Sequence, residues 1–193
     1  CIGDGRGQAE GELNFPVGVA LLGGGGTEQT ILVTEDENQR VSEFGLDGTF
    51  LRIFAGTTRE YDEEDGDVPG SEEDGEFDYP AGITVLASSG EVAITDLGNN
   101  RVQIFDRQGN FQRKFGSFGK EENGQFKYVD SLASDAYGNI LVTDFDTNRL
   151  QVFNSEGGLG SFSEGQKRCI RVDGNAKAFA VGKMLVSDGD INK

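Results

Sequence analysis

Three short runs of this chain bring together a carboxylate, a side-chain amide and a guanidinium, groups that could hold a cation, move a proton or bind an anion. They are Thr34-Glu35-Asp36-Glu37-Asn38-Gln39-Arg40-Val41, Thr95-Asp96-Leu97-Gly98-Asn99-Asn100-Arg101-Val102 and Thr143-Asp144-Phe145-Asp146-Thr147-Asn148-Arg149-Leu150. In each, the Arg follows the Thr by six residues, and a Phe (Phe44, Phe105, Phe153) follows the Arg by four. Catalytic groups are seldom duplicated unit by unit, so the recurrence assigns these residues to architecture. Asp36, Asp96 and Asp144 sit where a strand-end carboxylate accepts N–H bonds from the next turn. Asn38, Asn100 and Asn148 tolerate a left-handed backbone there, and Arg40, Arg101 and Arg149 can bridge back to a carboxylate. Ligand contact by the three Asp residues is the lesser alternative.

A second acidic feature spans Arg59 to Glu76 and holds Glu60, Asp62, Glu63, Glu64, Asp65, Asp67, Glu72, Glu73, Asp74 and Glu76, with Asp78 just beyond it. Ca²⁺ takes oxygen ligands of this kind, but the ordered spacing of an EF-hand loop is not met. Like charges at this density repel, so the run reads first as a solvated spacer and next as a docking loop for a basic partner. The glycines at Gly3, Gly5, Gly7, Gly116, Gly119 and Gly124 neither complete a nucleotide fingerprint nor open a helix, and read as connectors. Asp188-Gly189-Asp190-Ile191-Asn192 looks calcium-like in isolation but falls on the register of the repeated turn. The chain contains no His, and so lacks the commonest general base and the commonest zinc ligand. No catalytic residue, metal ligand or cofactor is assigned.

The elements that position these groups follow from the spacing. Arg101 to Arg149 is 48 residues and Arg40 to Arg101 is 61, an excess of 13 that the acidic 59–76 insertion accounts for. Within one unit, apolar stretches alternate with turn signals: Gly82 to Leu86, Val92 to Thr95, Arg101 to Phe105 and Phe111 to Phe115 read as four short antiparallel strands. Alternation along Arg101-Val102-Gln103-Ile104-Phe105 puts Val102 and Ile104 on one face, with Arg101 and Gln103 on the other. Val41 with Glu43, and Leu150 with Val152, are the corresponding sets, the first unit being the less regular copy. No helical period is sustained, and 30 glycines suit a protein of tight turns. The fold class is all-β, and four strands per unit of this length indicate a β-propeller blade.

Phe15-Pro16-Val17-Gly18-Val19 and Tyr79-Pro80-Ala81-Gly82-Ile83 precede the first strands, and each unit continues through its Thr, Asn and Arg to a Gly-tipped hairpin. This pattern resembles the NHL repeat. The third unit departs from it, with Tyr128-Val129-Asp130-Ser131-Leu132 where the Pro-x-Gly element belongs. A fourth unit is recognisable in Met184 to Lys193, and Ile2 to Gly7 matches the strand end and connector Phe115 to Gly119. The expectation is one array over residues 1–193, three full blades and part of a fourth, truncated at both ends. A six-bladed ring at this period needs about 290 residues, so the chain reads as a segment of a longer polypeptide, with an open arc capped by a partner as the alternative.

Function is read from scaffold and charge. Propellers hold loops on a stiff frame, so the leading reading is a non-catalytic binding or scaffold module, docking a protein partner through Glu37, Asp65, Asp67, Glu72, Glu73 and Phe145. The resemblance implies two alternatives: the substrate-recognition propeller of a tripartite-motif ubiquitin ligase, and a hydrolase or lyase propeller with a central metal. A formal net charge of −17 opposes binding to phosphate backbones and anionic membranes. No apolar run approaches a spanning helix. Cys1 and Cys169 are too few for a disulfide framework, and Cys169 is expected as a thiol near an early strand of the fourth unit. No Asn-x-Ser/Thr sequon is present, which favours a compartment without glycosylation, such as the cytoplasm.

Overall fold

The computed structural model describes residues 2–3, 5–23, 28–56, 68–158 and 169–171. Among these residues there is no helix, and three four-stranded antiparallel sheets follow one another along the chain. The first blade is β1 (Pro16–Leu22), β2 (Thr30–Glu35), β3 (Arg40–Gly45) and β4 (Phe50–Gly56). The second is β5 (Pro80–Val85), β6 (Val92–Asp96), β7 (Arg101–Phe105) and β8 (Phe111–Phe115). A short parallel pair, β9 (Ser117–Phe118) with β10 (Gln125–Phe126), forms the connector into the third blade. That blade is β11 (Val129–Ser134), β12 (Ile140–Asp144), β13 (Arg149–Phe153) and β14 (Cys169–Arg171). The inner strands β1, β5 and β11 are neighbours in space, which is the radial stacking of a β-propeller.

Strand order within each blade is sequential, because Gly-containing hairpins join strands that are adjacent in sequence. Their Asp side chains cap the turns: Asp106 accepts the backbone N–H groups of Gln108 and Asn110, and Asp135 those of Tyr137 and Asn139. The core lies between blades. Leu32, Val41 and Phe54 of the first blade pack with Ile83, Val92, Ile94 and Phe105 of the second. Ala93, Val102 and Ile104 on the other face of the second blade pack with Leu132, Ile140, Val142 and Phe153 of the third. The Phe four residues after Arg101 and after Arg149 is a joint in this stack, with Phe105 5.5 Å from Phe77 and Phe153 4.6 Å from Phe115, centroid to centroid, while Phe44 packs edge-on against Phe50 of its own blade.

The alternation expected of β7 is present: Val102 and Ile104 face the third blade while Arg101 and Gln103 meet Asp96 on the other side, and all five residues of the strand are buried. One expectation changes. Cys169 lies on β14, paired with Gln151 as the outer strand of the third blade, and not in a fourth unit. Spacing hides this pairing: β8 begins six residues after Phe105, whereas Cys169 lies sixteen after Phe153. Met184 to Lys193, with the Asp188 to Asn192 run, lies outside the described residues.

Candidate interaction face

The three repeated turns lie at one end of the blades, together with the connectors that lead into each inner strand. Each turn is organised around a carboxylate at the end of the second strand. It stands opposite the Arg that opens the third: Glu35 pairs with Arg40, Asp96 with Arg101 and Asp144 with Arg149 in the ladder. The ion pairs close at 2.8, 2.6 and 3.1 Å with both partners buried. In the first unit this corrects the expected assignment by one residue. Glu35, not Asp36, holds the position of Asp96 and Asp144, because side chains alternate along a strand and only the residue opposite the Arg shares its face. Asp36 lies in the turn itself, where its N–H donates to Phe15 O and its carbonyl accepts from Gln39 N.

The same offset applies to the amides. The left-handed position is Gln39 (φ 51°), Asn100 (φ 52°) and Asn148 (φ 52°), so Asn100 and Asn148 are where a left-handed residue was expected and Asn38 is not. Asn38 aligns with Asn99 and Thr147, and all three donate to the buried carboxylate of their own unit. Burial pushes the Asp96 carboxyl above its ordinary range, against the lowering effect of donors from Asp78 N, Asn99 and Arg101. A compensating exchange is also visible. Where the second unit pairs a short Asp96 with a long Gln103, the first pairs the longer Glu35 with the shorter Ser42, whose hydroxyl donates to it; Gln151 of the third unit donates instead to the Gln125 carbonyl of its connector.

The guanidinium groups do more than neutralise. Arg101 donates to the carbonyls of Glu72, Glu73 and Glu76 at 2.7, 2.9 and 3.1 Å. Arg40 reaches Gln8, Ala9 and Glu12 in the same way, and Arg149 reaches Lys120, Glu122 and Gln125. Each Arg therefore clasps the connector preceding its own blade. The parallel contact of Gly7 N with Leu13 O matches that of Gly119 N with Phe126 O, so residues 5–13 form a connector of the same kind. The acidic 59–76 segment is one of these connectors from 68 onward: its backbone is gripped while the side chains of Glu72, Glu73 and Asp74 are exposed. Asp65 and Asp67 lie outside the described residues.

Blades are tied to one another at this end by the repeated Thr. Inner strands carry a register shift at Pro16/Val19, Pro80/Ile83 and Val129/Leu132, and the Thr hydroxyl accepts the N–H freed there, from Gly18, Gly82 and Ser131 respectively. Thr34 then donates to Ala81 O at 2.6 Å and Thr95 to Asp130 O at 3.2 Å, each on the next blade. The glycines permit this approach: a Cβ on Gly82 would stand 3.0 Å from the Asp130 carbonyl oxygen and the Leu132 nitrogen. The first blade adds a contact the sequence concealed. Glu43, at the place of Ile104 and Val152, is buried against Thr30 and Arg52, and Arg52 continues to the carbonyl of Gln108 on the second blade.

Above this pinned framework lie the exposed groups. Glu37 is half-buried in the first turn, Phe145 is half-buried in the third, and Phe145 stacks on Tyr128 with centroids 5.7 Å apart. The residue before each inner strand is an aromatic at this same end: Phe15, Tyr79 and Tyr128, exposed by 52%, 37% and 41%. These were visible in the repeat signature but not recognised as surface groups. Among the described residues no group of three acidic or Cys side chains is arranged to hold a metal ion, and no helix is long and apolar enough to cross a membrane.

The sequence profile of the NHL repeat matches residues 77–105, from Phe77 of the connector to Phe105 of β7. Protein brain tumor of Drosophila melanogaster is 37% identical over 60 residues, which cover 31% of this chain and 6% of that protein. RING finger protein nhl-1 of Caenorhabditis elegans is 46% identical over 61 residues, 32% of this chain and 6% of its own length. Among solved structures, a chain of the nidogen/laminin complex superposes with a TM-score of 0.54 at 21% identity, over 74% of this chain and 45% of that one. The chain thus carries an NHL repeat within a β-propeller, and it spans a small fraction of the curated relatives it matches.

Proposed function

We propose that this NHL-repeat propeller is a non-catalytic binding platform that docks a protein partner on the turn-and-connector end of its blades. The observation that carries the reading is the coupling of exposed side chains to a buried, repeated clasp. Glu72 and Glu73 present carboxylates to solvent while their carbonyls are held by Arg101, so little conformational freedom is left to lose on binding. Glu37 and Phe145 stand on turns braced in the same way. Propeller scaffolds suit this role because loops on a rigid frame carry recognition.

A photo-crosslinking residue placed at Glu73 and, separately, at Arg107 of the opposite β7–β8 turn tests it. Capture of the same partner from position 73 and not from 107 is expected; equal capture from both ends would overturn the assignment. A second reading, the substrate-recognition propeller of a ubiquitin ligase, is favoured by the 46% identity to a protein named for its RING finger. It requires a Cys/His-rich zinc module in the parent polypeptide, which sequencing that polypeptide would reveal.

A further inference from the structure

The aromatic residues that precede the inner strands form an arc, one per blade, at the turn-and-connector end. Each is fixed through its backbone: Asp36 N donates to Phe15 O, Leu97 N to Tyr79 O and Phe145 N to Tyr128 O, at 3.1, 3.1 and 2.9 Å. Phe15 and Tyr79 hold left-handed backbone (φ 46° and 55°), a region that bulky residues rarely occupy and that costs free energy to maintain. The Tyr79 N–H also donates to Gln39 Oε1 of the first blade and Tyr128 stacks on Phe145, yet the rings stay exposed by a third to a half and none of them belongs to the interblade core.

The structure already shows what one of these rings does. The guanidinium of Arg6 lies over the Phe15 ring, 5.0 Å from its centroid, in the geometry of a cation–π contact. Tyr79 and Tyr128 occupy the equivalent positions on the next two blades. Around the arc the exposed acidic connector side chains, Glu10, Glu72, Glu73, Asp74, Glu121 and Glu122, outnumber the exposed basic ones, Arg6, Lys120 and Lys127, two to one, and the second connector carries acids alone. Stacking rings alone would also suit the bases of a single-stranded nucleic acid, but such sites neutralise phosphates with Lys and Arg, and this rim has the opposite sign.

We infer that the arc of Phe15, Tyr79 and Tyr128 binds an extended, arginine-bearing segment of a partner protein, whose guanidinium groups lie over Tyr79 and Tyr128 as the protein's own Arg6 lies over Phe15, and whose net positive charge faces the acidic rim. This rests on the protein-binding reading above and specifies the chemistry of the partner. Apolar or proline residues between the basic ones would let such a segment lie flat on the aromatic surface, as in other recognition of extended peptides.

Fluorescence anisotropy of the 193-residue chain with short labelled peptides tests the inference. The probes are (Arg-Pro-Leu)4, (Arg-Gly-Ser)4, (Glu-Pro-Leu)4 and an oligouridine of similar length. The Arg-Pro-Leu peptide is expected to bind most tightly and the Glu-Pro-Leu peptide and oligouridine not at all. The double variant Tyr79→Ala/Tyr128→Ala should weaken the Arg-Pro-Leu peptide by tenfold or more. Glu72→Lys/Glu73→Lys, which alters only exposed side chains, should weaken both arginine peptides and spare the thermal midpoint. Unchanged affinity in the aromatic variant, or preference for the acidic peptide, overturns the inference. If no peptide binds while a folded partner still crosslinks at position 73, this inference falls and the protein-binding reading stands; tight oligouridine binding would sink both.

Discussion

Replacing Arg101 by Ala is the most informative perturbation of the framework. It removes the partner of Asp96, a carboxylate buried in the blade, and the donors to the Glu72, Glu73 and Glu76 carbonyls. Breaking a buried pair by deleting one member costs about 3–5 kcal/mol, because the other charge stays desolvated. The connector carbonyls are closer to solvent and can be met by water, so they add little to that figure. At about 2–4 °C per kcal/mol for a chain of this size, the midpoint should fall by roughly 10 °C. Arg101→Lys keeps a charge near Asp96 but loses the planar fork that reaches three carbonyls, and should fall between Arg101→Ala and the parent. Lys114→Ala is the control: its pair with Asp74 is half-exposed at both ends and is expected to contribute no more than about 1 kcal/mol. The chain has no Trp, so calorimetry or circular dichroism is the suitable assay, with limited proteolysis between residues 68 and 76 reading the released connector. A loss under about 1 kcal/mol, indistinguishable from Lys114→Ala, would refute the clasp as a stabilising device.

Three further outcomes are expected. Thr95→Val strands the Gly82 N–H and removes the bond to Asp130 O, costing about 1–3 kcal/mol and speeding hydrogen exchange at Gly82. Gly18→Ala drives a methyl group into the Ala81 carbonyl of the next blade and should destabilise by about 1–3 kcal/mol in thermal melts. Acid titration should separate two carboxyls. The hydrogen bond from Arg113 holds Glu91 below its ordinary range; its contribution is complete above about pH 4.5 and is lost as pH falls through the lower folded value, so Glu91→Gln should flatten the acid limb. Burial holds Asp96 above its ordinary range, so its effect has the opposite sign: protonation favours the folded form, and stability from this group is lost as pH rises from about 4 through the raised folded value. Melts of Asp96→Asn against pH should lack that component.

The repeat was legible because three side chains at fixed spacing, the Thr, the Arg and the Phe, each meet a distinct demand: bulge, clasp and interblade packing. Adjacent acids at Glu35 and Asp36 defeated that spacing by one residue, since only pairing across the ladder tells which of them faces Arg40. What the clasp grips was not legible at all. Its acceptors are backbone carbonyls, which every residue has, so Gln8, Glu72 and Lys120 share no side chain that could have marked them. Glu43 read as an irregularity in an apolar register, and only the position of Arg52 explains it. Phe15, Tyr79 and Tyr128 were visible as a signature, but whether an aromatic faces core or solvent depends on the backbone that holds it.

Each Arg reaches backward along the chain, from Arg101 to carbonyls 25 to 29 residues earlier. On a ribosome the connector therefore emerges well before the residue that will clasp it, and the Arg101 clasp on the acidic 68–76 stretch cannot close until the second blade has been translated as far as β7. The array then assembles with a direction: every new blade, on forming, secures the link behind it. A nascent chain stalled between Glu76 and Arg101 would display that link without its clasp, more open to proteases and chaperones alike.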